Sequence, residues 1–301
     1  MTTVGALINQ TRNDYLRTGQ PEVRNKLNGA ISDSAETLTF SRPLNALSTG
    51  SRISIGLEDM HVWSVDGAAL TADVDRGEYG TTAAAAGDKA VVLVNPRYSD
   101  SQILRALNSA VSMLASEGLF AVSTVEVTYN STINGYDLAS STNVLGLVDV
   151  LWESTTDSRK QWSRLPNVRL IRNTNTADFA SGTAIAVDRG IPNGCTIRAT
   201  YKHELSAGLS SLTDVFETVT GLESDAADLL CIAAALHLTA GKEITLNEPD
   251  AARPRRGSET PPGTFSQADS NLRTLYRDRV RAERRRLNDK HGSFRVREYA
   301  I

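Results

Sequence analysis

A chain of 301 residues, 40% hydrophobic and 22% charged, has the composition of a folded protein with room for two or three domains and a sizeable core. No apolar run approaches the roughly 20 residues that cross a bilayer, and the start, MTTVGALINQTRNDYL, has neither the basic nor the apolar stretch of a secretory signal. The reading is a protein made in a cytoplasm, with no membrane partner. The net charge of −3 conceals an asymmetry: from Arg253 onwards 13 Lys and Arg face 6 Asp and Glu, whereas the preceding residues hold 19 against 29. A basic end of this kind implies an acidic partner, whether nucleic acid, another protein or another copy of the chain.

In chain order, residues 1–36 read as an N-terminal helical segment. Val4, Leu7, Ile8, Tyr15 and Leu16 recur at helical spacing, RTGQPEV interrupts, and a second short amphipathic helix is predicted around Val23 to Ile31. Residues 37–97 change to a period of two in TLTFS, SRISIG, DMHVWSVDG, AALTADVDRG and KAVVLVN, which predicts a small antiparallel sheet or barrel. The Asp66–Gly67 dipeptide is a hairpin signal there, because glycine tolerates the positive φ of tight turns. Residues 98–118 form a core helix: Ser99 or Asp100 caps it, Ile103, Leu104, Leu107, Val111 and Leu114 make its apolar stripe, and Gly118 ends it.

Residues 119–205 carry several short alternating segments with no helix between them, the pattern of a β-sandwich. Residues 206–246 are predicted helical, weakly in SLTDVFETVTGL and firmly in SDAADLLCIAAALHLTAGKEI. Residues 247–264 read as an extended connector rich in proline and charge, and 265–301 as an Arg-rich helix and tail. The predicted class is α+β, a helical bundle with two antiparallel β insertions, one a small barrel or sheet and the other a sandwich.

A search for chemistry finds little. RGEYGTTAAAAGDKAVVLV has the glycines but not the lysine of a phosphate loop, and no dinucleotide fingerprint or nucleophile elbow occurs. His61, His203, His237 and His291 are scattered without metal-ligand spacing, Cys195 and Cys231 read as core thiols, and Glu58–Asp59 reads as a solvated pair in a turn. The sequence thus predicts no catalytic residue, metal or cofactor. Two features are left. Tyr129, Tyr136, Trp152, Trp162 and Tyr201 could stack sugars, though sandwich packing is the plainer reading. Arg273, Arg277, Arg279, Arg281, Arg284, Arg285 and Arg286 make the terminal helix a candidate docking element, and arginine in preference to lysine suits planar contacts to carboxylates or phosphates.

Three strings, MHVWSVDG (Met60 to Gly67), RGEYGTTAAA (Arg76 to Ala85) and NPRYSDSQILRALN (Asn95 to Asn108), follow one another in an order that resembles the head-to-tail connector (adaptor or neck) proteins of tailed bacteriophages. VEVTYNSTINGYDL, WSRLPNVRLIRN with DFASGTAIAV, and TIRATYKHELSAGLSSLTD resemble that family's middle β-domain; AALHLTAGKEI and ERRRLNDKHG resemble its C-terminal end. The resemblance runs from Thr37 to Gly292, and the final SFRVREYAI has no counterpart in it. It implies a virion structural protein, not an enzyme. Such a protein is assembled in the host cytoplasm and located in the neck at the portal vertex, where it forms a homo-oligomeric ring, as a dodecamer matching the portal. Its implied partners are the portal protein and the next neck or tail component, with genomic DNA only as passing cargo. The C-terminal helix is the implied portal contact. Alternatives are another neck or tail part, such as a stopper or tail terminator, and a carbohydrate-binding module.

Overall fold

A computed structural model describes residues 1–16, 22–138, 143–153, 161–165, 167–187, 190–240 and 264–292. The predicted connector and the final SFRVREYAI lie outside the described residues, apart from Thr264, the first residue of the terminal helix. The described residues contain five helices and three antiparallel sheets, an α+β architecture. The chain divides into two compact units: residues 1–113, 207–219 and 224–277 in the first, and 114–206, 220–223 and 278–301 in the second.

The first unit is built on six strands: β1 (Val23–Lys26), β2 (Thr37–Thr39), β3 (Arg52–Ile55), β4 (Glu58–Asp66), β5 (Thr71–Glu78) and β6 (Val91–Val94). Their order is β1-β6-β3-β4-β5-β2. The sheet curls until its outermost strands meet: the amide of Asn28 donates to the carbonyl of Thr39 at 2.8 Å and that of Ser41 to Lys26 at 2.8 Å. A sheet joined at both edges offers no unpaired edge to solvent. The alternation read from the sequence supplies its interior, with Leu27, Leu38, Phe40, Ile53, Met60, Val62, Val74 and Val92 nearly inaccessible. At the β4–β5 hairpin, Asp66 accepts from the amides of Ala68 and Ala69 at 2.9 and 3.0 Å.

One element corrects the sequence reading. Val23–Lys26 is a strand, hydrogen-bonded to β6, and not the start of a second short helix. Only Asn25 is buried among its four residues, so its backbone pairing rather than an apolar stripe fixes its conformation.

Helix α1 (Val4–Gln10) is capped by Thr3, whose hydroxyl accepts from the Ala6 amide at 3.3 Å, and it runs into a π-helical turn at Thr11–Tyr15. Helix α2 (Asp100–Ser116) opens with a capping box: the Ser99 amide donates to Oε1 of Gln102 at 3.2 Å and the Gln102 amide to Oγ of Ser99 at 3.4 Å. Its buried residues Ile103, Ala106, Leu107, Ala110, Val111 and Leu114 fall on one stripe. Helix α3 (Phe216–Thr220) is a single short turn, as its β-branched residues suggest. Helix α4 (Ala227–Ala240) is apolar all round, and in the first unit it packs on α1.

The second unit holds β7 (Ala121–Thr128), β8 (Gly135–Asp137), β9 (Val144–Glu153), β10 (Trp162–Arg164), β11 (Val168–Arg172), β12 (Thr183–Val187) and β13 (Thr196–His203). Four form one sheet, β10-β9-β13-β7, and three the other, β11-β12-β8. Leu147, Val150, Ile197 and Tyr201 from the first sheet and Tyr136, Val168, Leu170, Ile185 and Val187 from the second share one core, which makes the unit a sandwich. Every residue of β12 is buried.

The terminal helix α5 (Thr264–Lys290) spans the change from one unit to the other in sequence. No helix among the described residues is long and apolar enough to cross a membrane.

Candidate interaction surfaces

The stretch that resembles a phosphate loop is a structural staple. Arg76, on β5, donates from Nε and Nη2 to the two carboxylate oxygens of Glu58, on β4, at 2.7 and 2.8 Å. The same guanidinium donates to the carbonyls of Ser32, Ala35 and Ala84, each at 2.8 Å, while Glu58 also accepts from the amides of Gly77 and Ala84. The alanine-lined turn is thereby held against the barrel wall. Gly77, at φ +67°, is required there, because a Cβ would stand 3.3 Å from the Ala83 amide nitrogen.

Asp59 forms a second buried node. Its Oδ2 accepts from Arg52 at 2.6 Å, Ser99 at 2.9 Å and Ser101 at 2.5 Å, tying β3 and β4 to the start of α2. Glu58 and Asp59 are 2% and 0% exposed. This overturns their reading as solvated carboxylates in a turn: the period of β4 places them where two arginines already supply the counter-charge. A third pair anchors the π-helical turn, where buried Arg12 meets Asp100 and, at 3.2 Å, Glu22.

These charged groups are engaged with one another and with the backbone. Among the described residues no three His, Cys, Asp or Glu converge as a metal would require. Cys195 and Cys231 are both buried and free, and burial pushes the Cys231 thiol up to about 11. His203 comes closest to a catalytic partner. Its Nδ1 lies 2.9 Å from the Glu204 carbonyl, which can only accept, so Nε2 accepts from Ser123 at 2.9 Å. Thr124 and Thr200 bond across the same two strands at 3.3 Å, and both contacts belong to the cross-strand ladder. Two open grooves, of about 590 Å³ in the first unit and about 400 Å³ in the second, are lined by side chains already engaged, Arg12 with Asp100 and Arg172 with the carbonyls of Val144 and Leu145.

The aromatic residues of the second unit serve mainly its core. Tyr129, Tyr136 and Tyr201 are buried, Trp152 packs against them, and Trp162 lies under the guanidinium of Arg198 at 3.9 Å.

The arginines of α5 divide by face. Tyr276, Val280, Glu283 and Leu287 form its buried seam. Arg273, Arg277, Arg281, Arg284 and Arg285 are exposed, whereas Arg279 and Arg286 are half-buried. Arg286 is structural: it grips Glu283 at 2.6 and 2.9 Å and reaches Glu223 at 2.7 Å, where Lys290 adds two bonds of 2.9 Å. Burial pushes the Glu223 carboxyl up, but the hydrogen bonds and charges of Lys290 and Arg286 outweigh it and bring the group down to about 2. Of the seven arginines named from the sequence, Arg286 is thus engaged within the chain.

One surface has no counterpart in the sequence reading. Trp63, on β4, is 58% exposed and Tyr79 44% exposed, with His61 packed edge-on against the Trp63 ring at 5.2 Å. The signal was its phase: in MHVWSVD, Met60 and Val62 point inward, which leaves His61 and Trp63 on the outer face. The indole donates to Asp75 at 2.5 Å, and Asp73 beside it accepts from Ser64 and Thr37 at 2.6 and 2.7 Å. Those two hydroxyls hold the Asp73 carboxyl below its ordinary range.

Compared with known proteins, the chain matches no family model and no curated sequence.

Proposed function

We propose that this chain is a structural protein of a phage virion, a head-to-tail adaptor that forms a ring beneath the portal and joins the capsid vertex to the neck or tail. The observation that carries the reading is the fate of the three resembling strings. MHVWSVDG is the exposed-aromatic strand β4, RGEYGTTAAA is the turn stapled by Arg76 and Glu58, and NPRYSDSQILRALN leads from β6 into α2. All three serve one scaffold, and their polar groups are spent on holding it rather than aimed at a substrate. A part whose task is shape and contact needs that kind of economy, and heterologous contacts repeated about an axis close into rings.

In this reading the fold is a helical bundle with the barrel and the sandwich as two β insertions in its sequence. The exposed arginines of α5 meet the portal, the ring is a dodecamer, and DNA passes through its lumen to the tail. The protein is assembled in the host cytoplasm and ends in the neck of the virion, with no enzymatic role.

The test is capture of the portal protein from the same particle by the purified full chain, beside Arg277→Glu/Arg281→Glu. Portal capture by the natural chain, reduced at least tenfold in the variant, supports the adaptor. Capture of a tail component without the portal makes it a stopper or tail terminator. Binding to a glycan panel with neither protein captured makes it a carbohydrate-binding module.

A further inference from the structure

We infer that the open edge of β7 pairs with the same edge of a second copy of this chain about a two-fold axis, joining two sandwiches through one continuous sheet. The inference goes beyond the ring reading and does not depend on it.

The strand order β10-β9-β13-β7 gives β7 a neighbour on one side only. Its first residue, Ala121, lies against Gly221, so the open stretch is 122–128. One bond just past the strand fixes which backbone groups face outwards. The Tyr129 amide donates to the Cys195 carbonyl at 2.8 Å, in the register that pairs Thr128 with Thr196. Bonded and non-bonded pairs alternate along an antiparallel ladder. Ser123, Val125 and Val127 therefore bond to β13, whereas Val122, Thr124, Glu126 and Thr128 turn their N–H and C=O groups to the open side. Among the described residues these outward groups make no hydrogen bond.

Edge strands are ordinarily guarded by shortness, lysine, proline or a bulge. The barrel sheet joins its own outer strands, β8 and β10 are three residues each, and β11 carries Arg169 and Arg172. Strand β7 has none of these guards. It runs for eight residues, AVSTVEVT, without lysine or proline, and pairs with β13 throughout with no shift of register. Its one charge, Glu126, is already matched by Arg198 at 2.6 Å.

A second copy is the occupant that this edge specifies for itself. Outward residues must face outward residues, which allows only registers that set even positions against even ones. With Val125 on the axis, Thr124 meets Glu126 of the second copy and Val122 meets its Thr128, so the whole open stretch is used. With Glu126 on the axis, two carboxylates would oppose each other directly, which is unfavourable. With Thr124 on the axis, Thr128 is left over. Charge and length thus select the first register. It also brings together the partly buried Val125 and Val127, which lie on the core side of the sheet, with their counterparts across the axis.

The test is sedimentation equilibrium of the full chain up to about 1 mM, a range that registers millimolar contacts. Self-association is expected, weakened about tenfold in Thr124→Glu, which sets like charges together on both sides of the axis, and not weakened in Thr124→Lys, which meets Glu126 instead. Both variants replace the same exposed threonine, so opposite responses cannot come from misfolding. Across the axis the two Val125 Cα atoms are expected about 4.5 Å apart, within reach of a disulfide. Under air oxidation Val125→Cys should cross-link to a dimer; Val127→Cys should not do so alone, but should when mixed with Ser123→Cys. A chain that stays monomeric at every concentration, equal weakening by Thr124→Glu and Thr124→Lys, or cross-linking of Val127→Cys but not of Val125→Cys overturns the inference. Portal capture is scored separately. A monomer that captures the portal leaves the adaptor reading standing, and a dimer of this register that captures none keeps the inference without it.

Discussion

Arg76 and Glu58 lie on neighbouring strands as a two-bonded pair, 2.7 and 2.8 Å apart, with their side chains 7% and 1% exposed. Each also satisfies backbone groups of the alanine turn, so removing one partner strands the other charge. Arg76→Met is expected to cost about 3–5 kcal/mol, and Glu58→Gln/Arg76→Met clearly less than the sum of its single changes. A double-mutant cycle in urea followed by Trp63 fluorescence, with Trp152 and Trp162 replaced by Phe, measures the coupling. A coupling near zero would remove the staple.

Gly221 carries a different load. It stands at φ +77°, and a Cβ there would come 2.5 Å from Cβ of Ala121. Gly221→Ala is therefore expected to destabilise the second unit by about 2 kcal/mol or more, through the disfavoured backbone and the clash together. Thermal unfolding of Gly221→Ala beside Gly146→Ala, where a Cβ meets open space, separates this site from a general intolerance of alanine; equal shifts would refute it.

The anchor of α5 should respond to acid. Glu223 has its carboxyl lowered from 4.5 to about 2 in the folded chain, so its contribution is complete above pH 4.5 and fades as the pH falls towards 2. With the side chain about a third exposed, solvent screening leaves on the order of 1 kcal/mol. Hydrogen exchange of residues 278–290, corrected for intrinsic rates, should show wild type more protected than Glu223→Gln at pH 5 and the difference shrinking by pH 2.5. A difference that stays constant over that range contradicts the assignment.

Each core should answer to its own cavity. Phe40 in the barrel is 1% exposed and Ile185 in the sandwich 0%, and Phe40→Ala and Ile185→Ala are each expected to cost about 2–5 kcal/mol. Urea unfolding read by Trp63 alone should move with Phe40→Ala, and read by Trp152 and Trp162 with Ile185→Ala.

Much of this fold was legible because its sheets are half-buried: the period of two in TLTFS, SRISIG and DMHVWSVDG marked the barrel strands, and the capping residues of α2 marked its start. Strand β1 was not legible, since only one of its four side chains is buried and its place is set by pairing with β6, which local pattern does not record. Glu58 and Asp59 were misread for a related reason. A carboxylate pair looks solvated in sequence, and only the fold shows that Arg52 and Arg76 arrive to neutralise it. The arginines of α5 were found by composition alone, but composition could not tell Arg286, held by Glu223 and Glu283, from Arg277 and Arg281.

The N-terminus imposes a schedule. Thr3 bridges Val215, the amides of Val4 and Gly5 donate to the carbonyls of Asp214 and Leu212, and Cys231 lies against the carbonyl of Leu7 across 224 positions of sequence. On a ribosome, the barrel strands and the sandwich can each close once their own residues have emerged, but the first helix has nothing to rest on until α4 has been made. Its apolar face must wait until more than 200 further residues have been made, so this helix settles long after it is synthesised.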